Sequence, residues 1–301
     1  MPKLLTIIVT YNAMRWVDRC LDSVNASSVP SDIFIVDNGS TDGTRDYIAE
    51  HYPEAMLIRS GVNLMFGRAN NLGLEYALKN GYDYVYLLNQ DAWVAPDAFE
   101  KLIVASAAHP EYGILSPLQF SPDWHTYEYM FKWLVVNKLP DKEVTIDRAD
   151  PNSVIDVKMV QAAHWMLPRR CIEIVGGFSP TFPHYGEDNN YCQRAIYHGF
   201  RIGIVPAAKA VHDAANGVLV TNVQKRYRHF ITFLIYLSDP NDSQSLFSLL
   251  LFLLRRAKGL AMERKSLTSF GGYFKALVHL RRIRRNRRLS MTEKCAFLRY
   301  E

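Results

Sequence analysis

Residues 33–44 read IFIVDNGSTDGT, and the fold turns on how this stretch is understood. Ile33, Phe34, Ile35 and Val36 form an unbroken apolar run, the pattern of a strand buried on both faces. Asp37 to Gly43 supply turn and cap residues, and residues 44–52 have helical spacing. The same sequence of strand, polar end and helix recurs on either side. Residues 4–10 run into Tyr11-Asn12 and a helix over 16–24. Residues 56–59 run into Asn63 and a helix over 67–80, and residues 84–88 end in Asn89-Gln90-Asp91.

Short strands alternating with helices predict an α/β protein with a doubly wound, mostly parallel central sheet flanked by helices. In such sheets ligands lie beyond the carboxyl ends of the strands. The four polar strand ends are therefore the first candidates for a site. Each alone is equally well explained as a turn or a helix cap, but turn chemistry does not require all four to share one sheet edge.

Over residues 121–156 the pattern loosens, with Trp124, Tyr127, Tyr129, Phe131 and Trp133 close together. Such aromatics suit either a sugar face or a satellite core. Strand character returns at 154–159 and 166–168, followed by a helix over 170–175, Gly176-Gly177, and FPHYGEDNNYCQR at 182–194. The expected division is a domain over 1–223, its halves at about 1–95 and 96–223, and a helical basic extension over 224–301.

With 301 residues, 49% of them hydrophobic, the chain can bury a large core, which excludes disorder as the default. Four cysteines without a C-x-x-C pair argue against a zinc knuckle or a disulfide framework and fit a reducing cytoplasm. The N-terminus has too short an apolar run for a signal peptide and reads as a first strand. Arg255 to Arg288 hold 12 Lys/Arg against one acid, a surplus of +11; with +5 overall and a neutral remainder, residues 1–254 carry −6. Such a block marks a solvated helix face or an anionic partner. The uncharged run 243–254 falls short of the roughly 20 residues of a bilayer span. Its apolar start and basic continuation suit the membrane interface, or else a helix packed on the core or on a second copy in a homo-oligomer. Nucleic acid is not the expected partner, because only Phe270, Tyr273 and Phe274 interleave with the basic residues.

Taken in order, IIVTYN, IVDNGSTDGT, NLMFGRANNLG at 63–73, LLNQD at 87–91, GGF at 176–178, GEDNNYCQR at 186–194 and His212 resemble the family 2 glycosyltransferases of GT-A fold, in particular the bacterial rhamnosyltransferase branch. The resemblance covers residues 4–215. It implies a nucleoside-diphosphate sugar donor carrying dTDP or UDP, a glycan or lipid-linked acceptor, and a divalent cation, Mg²⁺ or Mn²⁺. It implies Asp91 and His212 as metal ligands, with Asn89 replacing the first acid of the family's Asp-x-Asp-like motif. Thr10, Tyr11, Asn12 and Asp37 are implied for the nucleoside, and Asn63, Arg68, Asn70, Asn71 and Asn89 for the rest of the donor. Asp188 is the implied base of an inverting displacement, supported by Glu187 and Arg194; Asn190 stands where the family often has a further acid. The expected location is the cytoplasm, from the cysteine usage, with peripheral association at the inner face of the cell membrane inferred from the basic tail. Bland alternatives exist for the single sites: a lone His is often structural, and acids at a helix start favour the helix dipole. A nucleotidyltransferase ordinarily carries a glycine-rich phosphate loop after its first strand, and TYNAMRW has no glycine. A binding module that has lost catalysis is the remaining alternative.

Overall fold

The computed structural model describes residues 2–139, 153–214, 221–263 and 267–299. Among the described residues nine strands, β1 (Leu4–Thr10), β2 (Asp32–Asp37), β3 (Met56–Arg59), β4 (Tyr84–Asn89), β5 (Ala92–Val94), β6 (Tyr112–Phe120), β7 (Ile155–Val157), β8 (His164–Pro168) and β9 (Arg201–His212), make one sheet. Its order is β3-β2-β1-β4-β8-β6-β9-β5, with β7 on β9. The run β3-β2-β1-β4 is parallel throughout. Past β4 the sheet is mixed: β8 is antiparallel to β4 and β6, while β6 and β9 are parallel. The donor and acceptor halves expected from sequence thus share one continuous sheet.

Helices cover both faces because the strands are apolar on both faces. Along β1, Leu5 and Ile7 face one layer and Leu4 and Ile8 the other, the alternation set by the two-residue repeat of a strand. The first layer holds α3 (Met65–Lys79), α6 (Arg169–Val175) and α7 (Glu187–Tyr197). The second holds α1 (Val17–Asn25), α2 (Thr44–His51) and α4 (Ala98–Ala108). The short α5 (Tyr129–Leu134) is capped by Glu128, whose carboxylate accepts from the Phe131 N–H at 2.7 Å. The loosely patterned aromatics divide here: Phe131 is fully buried, whereas Tyr129 and Trp133 are exposed.

The C-terminal region forms α8 (Asn222–Ser238), α9 (Leu246–Glu263), α10 (Thr268–Val278) and α11 (Leu280–Thr292). These share an apolar cluster that includes Phe182 from the loop before α7. Residues 295–299 then return across α3 and α6. Cys295 N–H donates to Glu173 O at 3.0 Å, Gly177 N–H to Ala296 O at 2.8 Å, and Asn71 Nδ2 to Phe297 O at 3.4 Å. This contact explains the first glycine of GGF. Gly176 has φ +85°, and a Cβ there would lie 2.1 Å from Ala296 O.

Candidate active site

The carboxyl ends of β1, β2 and β4 converge as the strand order requires. Gln90, which carried no role in the sequence reading, bridges two of them: Tyr11 N–H donates to its Oε1 at 2.6 Å, and its Nε2 donates to Tyr11 O at 3.2 Å. Tyr11 and Asn12 are exposed there, Asn12 at φ +53° with its Oδ1 accepting from Thr41 N–H at 2.9 Å. Arg68 and Asn63 are exposed near the start of α3, where Asn63 Oδ1 accepts from Met65 N–H at 2.8 Å.

Four residues expected at the donor lie instead inside the protein. Asp37 is fully buried. Its carboxylate accepts from the Thr10 hydroxyl at 2.9 Å, from the Ser40 hydroxyl, and from the N–H groups of Gly39 and Ser40 at 3.1 and 2.9 Å. All four acceptor positions of the Asp37 carboxylate are then filled, which fixes the loop between β2 and α2. Asn70 donates to Phe66 O at 3.0 Å, one turn back on α3. Asn71 clamps the Phe178 backbone at both ends, its Oδ1 accepting at 2.7 Å and its Nδ2 donating at 3.0 Å. Periodicity identifies such positions as strand ends or helix faces. It does not show that their lone pairs are already used.

Asp91 and His212 meet because β5 pairs with β9 in a register that sets Ala92 opposite His212. Asp91 Oδ1 lies 3.5 Å from His212 Nε2, and Asn89 Nδ2 lies 3.4 Å from the same nitrogen. Beneath them His164 is fully buried, in contact with the Tyr86 hydroxyl at 2.8 Å and Val211 O at 3.0 Å. Because only a donor satisfies the carbonyl, Nε2 carries the proton and Nδ1 accepts from Tyr86. Burial pushes the His164 pKa down to about 3, so this support stays neutral. No group of three or more His, Cys, Asp or Glu among the described residues is arranged to hold a metal. One carboxylate and one imidazole nevertheless fit a cation that takes the rest of its ligands from substrate phosphates and water.

One cavity of about 480 Å³ is lined by Asn89 and His212 and also by Glu187, Asp188 and Asn189. Gly186 starts α7 at φ +84°, and a Cβ there would lie 2.8 Å from Ile231 of α8. Tyr227 of α8 donates its hydroxyl to His184 O at 2.7 Å, so a C-terminal helix holds the HYGED loop in place. Asp188 Oδ1 accepts from Asn189 N–H at 2.7 Å, and Glu187 Oε2 is buried with no hydrogen-bond partner. Burial raises both carboxyls, Glu187 to about 8, where the Asp188 charge adds to the shift. Arg194 does not pair with either acid. It is fully buried, donates to Val175 O at 2.9 Å and to Gly177 O, and lies over the Tyr191 and Phe297 rings. Burial lowers its pKa to about 10, and its part is to position the GGF turn. The sequence reading missed Gln161, whose unpartnered Oε1 is buried at the cavity wall, and the apolar wall of Trp133, Ile231 and Ile235.

The end of β4 and the acidic start of α7 thus line one cavity. The family model described as Glycosyl transferase family 2 matches residues 6–161, and the one described as Glycosyl transferase family group 2 matches residues 84–292. The chain belongs to glycosyl transferase family 2. It is 27% identical over 259 residues to the N-acetylglucosaminyl-diphospho-decaprenol L-rhamnosyltransferase of Mycobacterium tuberculosis, covering 78% of this chain and 84% of that one. It is 24% identical over 208 residues to the dTDP-rhamnosyl transferase RfbF of Shigella flexneri, covering 68% and 67%. The S. aureus TarS 1-349 structure in complex with UDP-GlcNAc has the same fold, with a TM-score of 0.58 at 15% identity over 96% of this chain and 83% of that one. Against the longer TarS chain the match spans 41% of its length.

Proposed function

We propose that the chain is an inverting, metal-dependent glycosyltransferase that moves rhamnose or a related hexose from a dTDP- or UDP-sugar to a hydroxyl of a glycan or lipid-linked precursor. The observation that carries the reading is one cavity lined both by Asn89 and His212 and by the Glu187–Asp188 pair. The rhamnosyl relatives support the sugar, and their names point to a lipid diphosphate acceptor and a dTDP donor. Tyr11, Asn12, Asn63, Arg68 and Asn89 are the exposed or partly exposed groups available to the donor. Asp188 takes the proton of the acceptor hydroxyl as its oxygen bonds the anomeric carbon and the bond to the diphosphate breaks. Mg²⁺ or Mn²⁺ held by Asp91 and His212 would supply Lewis-acid neutralisation of the departing diphosphate.

Donor binding is the direct test. With Mn²⁺, dTDP-rhamnose or a UDP-hexose at a hundredfold excess over Kd should stabilise the protein by about 2.7 kcal/mol, read as a rise in Tm. Asp91→Ala should remove the Mn²⁺-dependent part. No response to any nucleotide sugar would overturn the proposal.

The carboxyl pair predicts a bell-shaped pH profile. Asp188 must be ionised to act as base, so activity rises with pH through its raised pKa. Glu187 is protonated below about 8 and able to donate to the acceptor; above it, a second buried negative charge appears beside Asp188. Activity should therefore fall as pH rises through about 8. Glu187→Gln, which keeps a donor that does not titrate, should flatten that alkaline limb, and an unchanged limb would assign it elsewhere.

Peripheral attachment to the cytoplasmic face of the membrane is part of the proposal. No helix among the described residues is long and apolar enough to cross a membrane. Exposed Phe247, Leu251, Phe274 and Val278 on α9 and α10, beside the basic α11, support an interfacial position.

A further inference from the structure

Helix α11 carries arginine at 281, 282, 284, 285, 287 and 288 and has no acidic residue. Among the described residues none of the six forms a salt bridge. Like charges three and four positions apart destabilise a helix. This helix is nevertheless anchored on its other face: Ile283 is fully buried, Asn286 Nδ2 donates to Thr181 Oγ1 at 2.9 Å, and His198 Nε2 contacts Ser290 O at 2.8 Å. The repulsion is thus held in place without a salt bridge among the described residues.

Three of the arginines converge. Arg284, Arg287 and Arg288 line a concavity of about 380 Å³ with Asp242, Ser243, Gln244 and Thr292. Arg287 Nη2 donates to Asp242 O at 2.5 Å, and its Nε is buried with no partner. The Asp242 carboxylate accepts from Gln244 N–H at 2.8 Å, so the lining keeps an excess of two positive charges. Planar guanidinium groups with free N–H donors match the oxygen geometry of phosphate. The exposed apolar side chains of α9, which follows directly on the Asp242–Gln244 segment, suit an acyl phase.

We propose that this concavity binds the phosphate of an anionic lipid headgroup, fixing how the protein sits on the bilayer. The inference rests on the reading of the chain as a peripheral membrane glycosyltransferase. It differs from general attraction of a basic tail in assigning the effect to one face of α11.

The full chain is tested by co-sedimentation with vesicles of phosphatidylcholine containing phosphatidylglycerol. R284E/R288E should weaken binding about tenfold or more, whereas R281E/R285E, with the same change in net charge outside the concavity, should weaken it by much less. Both variants leave Arg287 and its contact with Asp242 O intact, and circular dichroism checks that they fold. Inorganic pyrophosphate, followed by thermal shift, separates the sources of phosphate. Loss of its binding in R284E/R288E alone would support a site that recognises phosphate by itself. Failure of pyrophosphate to bind, with the vesicle difference kept, would support recognition only within a bilayer. Equal weakening by the two variants, no vesicle binding by the unmodified chain, or tighter binding of an RNA oligonucleotide than of vesicles would each overturn the proposal. Sugar transfer by the unmodified chain to a soluble acceptor is measured in parallel. Its absence would remove the enzymatic reading whatever the vesicles show.

Discussion

Replacing Asp188 with Asn is expected to lower the rate of sugar transfer by about a thousandfold while leaving donor affinity unchanged. The amide keeps the size of the side chain and removes only its ability to take the acceptor proton. Asp188 suits that task because burial raises its pKa toward the working pH, making it a stronger base than a solvated carboxylate. It stands at the start of α7, on a different element from Asn89 and His212, so donor contacts should survive its loss. Calorimetric titration of the nucleotide sugar beside steady-state transfer separates the two effects. Equal loss of donor affinity and rate would refute the assignment and make Asp188 part of the donor site.

The second large effect concerns residues far from the chemistry. Removing the chain from Cys295 onward should lower Tm on the order of 10 °C and reduce transfer even at temperatures where the protein remains folded. Among the described residues the segment makes five hydrogen bonds to the rest of the chain, the backbone and amide ones worth about 1 kcal/mol each, and it buries Ala296 and packs Leu298 on the core. Phe297 also covers the Arg194 guanidinium, whose donors hold the carbonyls of Val175 and Gly177. The turn so held leads to Phe178, which stacks on Trp165 and packs on Tyr191 of α7. Gly176→Val should give the same phenotype in a full-length chain, because its side chain would occupy the place of Ala296. A truncation that shifts Tm by less than about 2 °C would show that this seam is incidental.

Much of the donor half was legible because its physics is local. Buried parallel strands read as apolar runs, and Asn, Asp, Ser and Gly mark the ends where helices begin. The pairing of Asp91 with His212 was legible only through family resemblance, since the two lie 121 positions apart and meet only through the antiparallel contact of β5 with β9. Two kinds of feature stayed hidden. Thr10, Asp37, Asn70 and Asn71 have the residue types of a binding site, and only the three-dimensional structure shows them buried and hydrogen-bonded within the protein. The basic tail, read as an appendage, supplies Ile231, Ile235 and Tyr227 to the cavity and its supporting loop. An amphipathic helix declares that it has an apolar face, but not which surface that face will cover.

The return of residues 295–298 to the GGF turn also bears on synthesis. Domains generally begin folding from the N-terminus as the chain emerges from the ribosome. Here the parallel strands that bear the donor edge emerge first, whereas the clamp on Gly176 and Gly177 emerges more than a hundred residues after Asp188. A nascent chain would therefore form its parallel strand ends well before it gains the clamp on the turn that precedes the Glu187–Asp188 helix start.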